Sequence, residues 1–332
     1  MKNSGFPLSL ICVFGSLATP AFGATYFLPG VSAERGWHDA EKEWGFYSDG
    51  TPGAIDGNLC WAAQASCMAQ YWQDWYVKAG NLLPAGTPTG YGASKRTDGI
   101  PSSNIFETFK ENWTNMGGTG DLGLPWYFTG SLPSWYYDDG YNSSVIHPEW
   151  AKLKKYDYTS TFSELYGSSP ETFTANEGLV EHLQYDGGLS IQEFTEKMMY
   201  YLTVDYSIVG LSLDFWKISG ESQGHAGGHA VTLWGVDTDD ATGLVNAVYI
   251  TDSDDDYYGI KRYDLEVLYG GADIEMNTYY DEETRAVYST TFDRFITLSV
   301  NRFVTAVPEP SAFGLLAGIF ALAVSTARRR RK

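Results

Sequence analysis

Residues 229–251 read HAVTLWGVDTDDATGLVNAVYIT, and the fold of the chain turns on this stretch. Two apolar runs rich in β-branched side chains, 229–236 and 243–251, flank the turn-forming segment DTDDAT at 237–242. That pattern specifies an antiparallel hairpin. Closing it with Asp237 opposite Gly243 sets His229 across from Thr251, with Asp252 one step further along. A slip of one residue would move side chains between faces, yet His229 and Asp252 would still share one end of the sheet. GIKRYDLEVL (259–268) and FDRFITLSV (292–300) carry the same alternation and add strands.

Upstream, the periodicity changes from two to that of a helix. LCWAAQASCMAQYWQDWYVKA, residues 59–79, places Cys60, Ala63, Cys67 and Tyr71 on one face. LSIQEFTEKMMYYL, residues 189–202, suits a second amphipathic helix with Ser190 as its N-cap. Between them, residues 84–175 are rich in Gly, Pro, Ser, Thr, Tyr and Trp, so loops with short helices and strands are expected there. An early helix, a loop-rich middle and a late antiparallel sheet make the chain α+β.

The ends read differently from the body. Residues 1–23 combine Lys2, an apolar stretch from Phe6 to Leu17, and small residues at Ala21 and Gly23, the pattern of a secretory signal peptide. The end, VPEPSAFGLLAGIFALAVSTARRRRK, sets a Pro-Glu-Pro turn before an apolar run, Ala312 to Ala327, and a basic cluster, Arg328 to Lys332. The run falls short of the roughly 20 residues that span a bilayer, and with its basic flank it reads as a stop-transfer or sorting segment. The order of parts resembles the PEP-CTERM sorting signal, which implies processing by an exosortase; a plain C-terminal anchor is the alternative. The expected organisation is a signal peptide at 1–23, one domain at 24–307, and a sorting or anchor segment at 308–332. The body is expected outside the cytoplasm, in the cell envelope or beyond it, with membrane contact only through the C-terminal segment.

The whole chain has a formal charge of −19, from 22 basic and 41 acidic residues. Setting aside Lys2, Glu309 and the last five residues leaves the body near −24. Such a surface disfavours nucleic acid and anionic lipid, and no nucleic-acid partner is expected. Of three cysteines, Cys12 falls in the leader, so the body keeps Cys60 and Cys67 and has no disulfide framework.

On a helix, residues seven apart lie roughly 10 Å from one another, beyond the alpha-carbon separation of about 7 Å that a disulfide tolerates. A bridge between Cys60 and Cys67 is therefore not expected, and no CxxC spacing supports zinc. Cys60 stands at the first turn, where Asp56 or Asn58 could cap and where the backbone N–H groups and the helix dipole stabilise a thiolate. Cys67 lies among Ala, Ser and Met, as a buried cysteine does. His229 supplies a base and Asp252 an acceptor for its second nitrogen, the orienting logic of a triad. Two metal readings are weaker. GHAGGHA (224–230) is too Gly-rich for a metal-binding helix, and DSDDD (252–256) lacks the glycine and closing glutamate of a calcium loop.

NLCWAAQASCMAQYW (58–72), the 229–255 segment and GIKRYDL (259–265) together resemble the IgG-degrading cysteine endopeptidases of the IdeS/Mac type. The resemblance implies a papain-like fold, with the catalytic helix packed on the late sheet. It implies Cys60 as nucleophile, His229 as general base, Asp252 as the residue that orients it, and Asp254 as a supporting group. GWHDAEK (36–42) implies Lys42 as an oxyanion-hole residue, although EWGFYSDGTPGAI (43–55) lengthens the path to Cys60. The expected activity is hydrolysis of a protein or peptide substrate with no cofactor and no metal. A transglutaminase-like acyl transferase is the enzymatic alternative. A catalytically idle envelope or matrix-binding protein, suggested by 24 Tyr and 11 Trp, is the non-enzymatic one.

Overall fold

The computed structural model describes residues 23–46, 52–54, 56–93, 99–134, 136, 151–154, 157–174, 179–184, 189–219, 222–254, 257–268, 273–281 and 286–304. The leader (all but Gly23), the C-terminal segment 308–332 and parts of 43–55 and 84–175 lie outside these residues. The protein is mixed α/β, built on one antiparallel sheet.

Helix α1, Cys60–Lys78, coincides with the helical stretch of the sequence to within a residue at each end. It is Ala-rich in its first half and ends at Gly80, whose φ of +91° a side chain would strain. Its burial differs from the amphipathic expectation. From Trp61 to Gln73 every side chain is buried, so α1 runs through the core rather than along the surface. Its start also differs: neither Asp56 nor Asn58 caps it. Leu59 occupies the cap position with no side-chain bond, and the Leu59 carbonyl accepts from Ala62 and Ala63 at 3.0 Å.

Strands β1 (Thr25–Phe27), β5 (Ser207–Ser219), β6 (Ser222–Thr238), β7 (Val245–Thr251), β8 (Lys261–Leu268), β9 (Asp273–Asp281) and β10 (Ala286–Ser299) form the sheet in the order β1-β6-β5-β10-β9-β8-β7. A short β4 (His182–Gln184) adds to β10, and β6 also pairs with β7. A separate hairpin joins β2 (Trp44–Phe46) to β3 (Pro52–Ala54). The helix α1 packs against β6 and β5. It is held there by the buried Gln64, whose Nε2 donates to the carbonyls of Leu211 and Val231, both at 2.8 Å.

The hairpin 229–251 exists, but its register is three to four residues from the expected one. Thr232, not His229, faces Thr251, and Asp237 faces Ala247, not Gly243. The cause is the turn. Asp239 Oδ1 accepts from the backbone N–H groups of Ala241 and Thr242, and Gly243 takes a φ of +70°, so the chain reverses over 239–244. Bulges at Trp234 and Asn246 absorb the remainder.

The loop-rich middle supplies two helices that cover α1. Helix α2, Asn104–Asn112, starts at Ser103, whose hydroxyl accepts from Phe106 N–H. Helix α3, Gly120–Thr129, ends at the left-handed Gly130. Aromatic side chains from these helices and the segments after them close on the indoles of α1: Trp61 meets Phe109 and Trp113 edge-on, and Trp72 meets Phe128 and Phe162 the same way. Much of the aromatic complement is thus core filling. The helix Ile191–Tyr200 begins, as the sequence indicates, at Ser190, which forms a complete capping box with Glu193.

Candidate active site

The N-terminus of α1 meets the sheet where β6 passes His229, and four side chains far apart in sequence converge there. Cys60 is the first residue of α1 and is half-buried, whereas Cys67, two turns on, is buried; both are free thiols. Burial pushes both thiols up. At Cys60 the hydrogen bond and charge of His229, with a contribution from Lys42, outweigh that effect and hold the thiol below its ordinary value. At Cys67 nothing does, and the neighbouring Asp39 adds to the rise. The sequence could separate the two only by position on the helix; the structure separates them by charge.

His229 is buried at 7% exposure, and its Nε2–H donates to Asp252 Oδ1 at 2.6 Å. Burial disfavours the imidazolium, but the Asp252 carboxylate and the Cys60 thiol together raise its pKa well above the usual histidine value. Asp252 is itself held low: desolvation opposes ionisation, and the charge and hydrogen bond of His229 overcome it. A thiol held low beside an imidazole held high favours the thiolate–imidazolium pair.

Asp252 lies just beyond β7, so its position depends on how that strand ends. The indole N–H of Trp234, on the β6 bulge, donates to Thr251 Oγ1 at 2.9 Å, and the Thr251 hydroxyl donates to the His38 carbonyl at 3.1 Å. The Asp254 N–H then donates back to Asp252 Oδ1 at 2.9 Å, the same oxygen that accepts from His229, and so fixes the carboxylate. Sequence reading missed Trp234 and Thr251, because their contribution depends on a bulge that the alternation does not announce.

Lys42 reaches the site. Its ammonium, on a side chain 1% exposed, donates to the Gly57 carbonyl at 2.5 Å and pairs with Asp254. Its own N–H donates to the Ser253 carbonyl at 3.2 Å. The additional residues between Lys42 and Cys60 leave as the β2–β3 hairpin and return beside their starting point, where Glu43 N–H donates to Asp56 Oδ1 at 2.9 Å. Asp254 thus lies between two cations of the site, with Oδ2 also 3.4 Å from His229 Nδ1. Among the described residues no group of three or more His, Cys, Asp and Glu is arranged to hold a metal ion.

Residues 191–293 match the model of the Mac-1 family, described as "Mac 1". The match takes in His229, Asp252 and Asp254 but neither Cys60 nor Lys42. It corrects the resemblance drawn from the motifs. The family found is Mac-1 over that segment, not the IgG-degrading IdeS-type peptidases or a PEP-CTERM signal. No curated protein matches the chain. Two solved structures, an EndoMS–dsDNA complex and EndoMS in its apo form, are each 9% identical with a TM-score of 0.17. They involve 37% and 41% of this chain, which spans 49% and 58% of theirs, and a likeness this slight carries no argument. No helix among the described residues is long and apolar enough to cross a membrane. The apolar run 312–327 lies outside them.

Proposed function

We propose that the protein is an exported cysteine endopeptidase of papain-like architecture, acting on a protein or peptide substrate. The observation that carries this reading is the line of contacts from the Cys60 thiol to His229 and from His229 Nε2 to Asp252 at 2.6 Å, with the thiol at a helix N-terminus. The Cys60 thiolate attacks the scissile carbonyl carbon, and the electrons of the C=O bond move to oxygen. The Cys60 N–H and the nearby Lys42 ammonium stabilise that oxyanion. Collapse of the intermediate breaks the C–N bond, and the His229 imidazolium gives its proton to the departing amine. Neutral His229 then takes a proton from water, whose oxygen attacks the thioester and releases the acid and the thiolate. Asp252 holds the imidazole in one orientation throughout.

Alkylation by iodoacetamide near neutral pH tests the reading without knowledge of the substrate. Cys60 should label much faster than Cys67, as resolved by peptide mass spectrometry, and His229→Ala should slow Cys60 alone. Equal, slow labelling of both cysteines would refute it.

A further inference from the structure

The geometry points to Lys110 as a positioning residue of the site, a clamp that holds the two ends of the 43–56 excursion together so that Lys42 and Gly57 stand beside Cys60. This inference rests on the peptidase reading above and deepens it.

Lys110 lies on α2 with its side chain 15% exposed, and it faces three carboxylates: Glu107 Oε1 at 2.8 Å, Glu43 Oε2 at 3.2 Å and Asp56 Oδ2 at 3.5 Å. Glu107 precedes it by one turn on the same helix, but Glu43 and Asp56 come from the excursion and are its first and last residues. Each adjoins a residue of the site: Glu43 follows Lys42, and Asp56 precedes Gly57, whose carbonyl accepts from Lys42 Nζ. Asp56 also accepts from Glu43 N–H, so one ammonium and one backbone hydrogen bond close the base of the excursion. Two further contacts seat α2. Trp61, the residue after Cys60, packs edge-on against Phe109, and the Lys154 ammonium donates to the Lys110 carbonyl at 2.8 Å.

The arrangement has a physical requirement that only a cation at this position meets. Burial pushes the Asp56 carboxyl up, and Lys110 opposes the rise. Without Lys110 the buried Asp56 carboxyl and the half-buried Glu43 lose the cation that bridges them, and the backbone hydrogen bond from Glu43 to Asp56 is left to hold the base of the hairpin. The Lys42 backbone then loses its fixed distance from α1. Because Lys42 is among the groups that favour the Cys60 thiolate, thiol reactivity reports on the clamp.

The experiment follows the rate of Cys60 alkylation against pH, with Cys67 as internal reference and thermal unfolding as a check on folding. Lys110→Met should move the Cys60 profile to higher pH and slow labelling at pH 6 by about tenfold, the factor that accompanies a tenfold change in thiolate fraction. Lys110→Arg should restore the wild-type profile. Glu43→Gln separates positioning from through-space charge and also serves if Lys110→Met does not fold. Removing a nearby carboxylate would by itself favour the thiolate and speed labelling, whereas loosening the clamp slows it. Slower labelling in Glu43→Gln supports the inference. Unchanged or faster labelling overturns it, as does an unchanged profile in folded Lys110→Met, and either result leaves the peptidase reading intact. Slow labelling of Cys60 in the wild type removes both.

Discussion

Cys60 and Cys67 are chemically identical in the sequence, and seven residues of one helix make them different. Position at the first turn was legible, since the helical periodicity of 59–79 sets which cysteine opens it. The electrostatics were not, because His229, Lys42 and Asp254 come from segments up to about 190 residues away. Asp252 is where the chemistry is most exposed to test. With the Asp252 pKa lowered, the stabilisation it gives is present above the ordinary carboxylate value and is lost as pH falls through its folded value. With the His229 pKa raised, the stabilisation is present below the ordinary histidine value and is lost as pH rises through its folded value. Asp252→Asn removes the first contribution and the share of the second that Asp252 supplies, leaving only what Cys60 gives His229. The difference in urea midpoint between wild type and this variant should therefore be largest between the ordinary Asp and His values, at about pH 4–6, and shrink on either side. The same variant should move Cys60 alkylation to higher pH. A difference in midpoint that is flat from acid to alkali would show that the pair is not ionised as described.

At the scale of elements, the sequence identified α1, the helix at 191 and the β6–β7 hairpin, because each carries its own periodicity or cap. It misplaced the hairpin register because a side-chain-stabilised turn at Asp239 outweighed the apparent closure at Asp237, and two bulges are invisible to alternation. It overlooked β5 entirely as a strand, although β5 lies between β6 and β10 and receives α1. The junction of α1 with the sheet depends on a slot for Gln64. A Cβ at Gly210 would lie 2.6 Å from Gln64 Cδ, and one at Gly120 would lie 2.6 Å from Gln64 Oε1. Gly210→Ala should therefore cost about 1–3 kcal/mol in chemical denaturation, the usual range for overpacking a tight core. Gln64→Ala should cost about 1–3 kcal/mol by leaving two strand carbonyls without their donor. Because the two side chains occupy the same space, the double variant should lose less than the sum. Strict additivity would mean that Gln64 does not fill the slot. Ser190→Ala, which breaks the capping box far from this junction, should cost about 1 kcal/mol and add independently.

Across the whole molecule, the early helix and late sheet of the sequence correspond to a core in which α1 is enclosed by β5, β6, α2 and α3. This enclosure brings together Cys60 from one end of the chain and His229 and Asp252 from the other. The α+β expectation was readable because helix and sheet patterns are segregated along the chain. That α2 and α3 would cover α1 was not, because Gly- and Pro-rich segments advertise turns and conceal the short helices between them. The Mac-1 match spans only 191–293, so assigning a role to the whole chain depends on the convergence of Cys60 with the matched segment. That convergence is tested most directly by digesting an unbiased peptide library with wild type and with Cys60→Ala, and sequencing the products by mass spectrometry. Wild type should release peptides with new carboxyl and amino termini, and Cys60→Ala should release none. Cleavage of the same bonds by Cys60→Ala, or joining of peptides without hydrolysis by the wild type, would contradict the account.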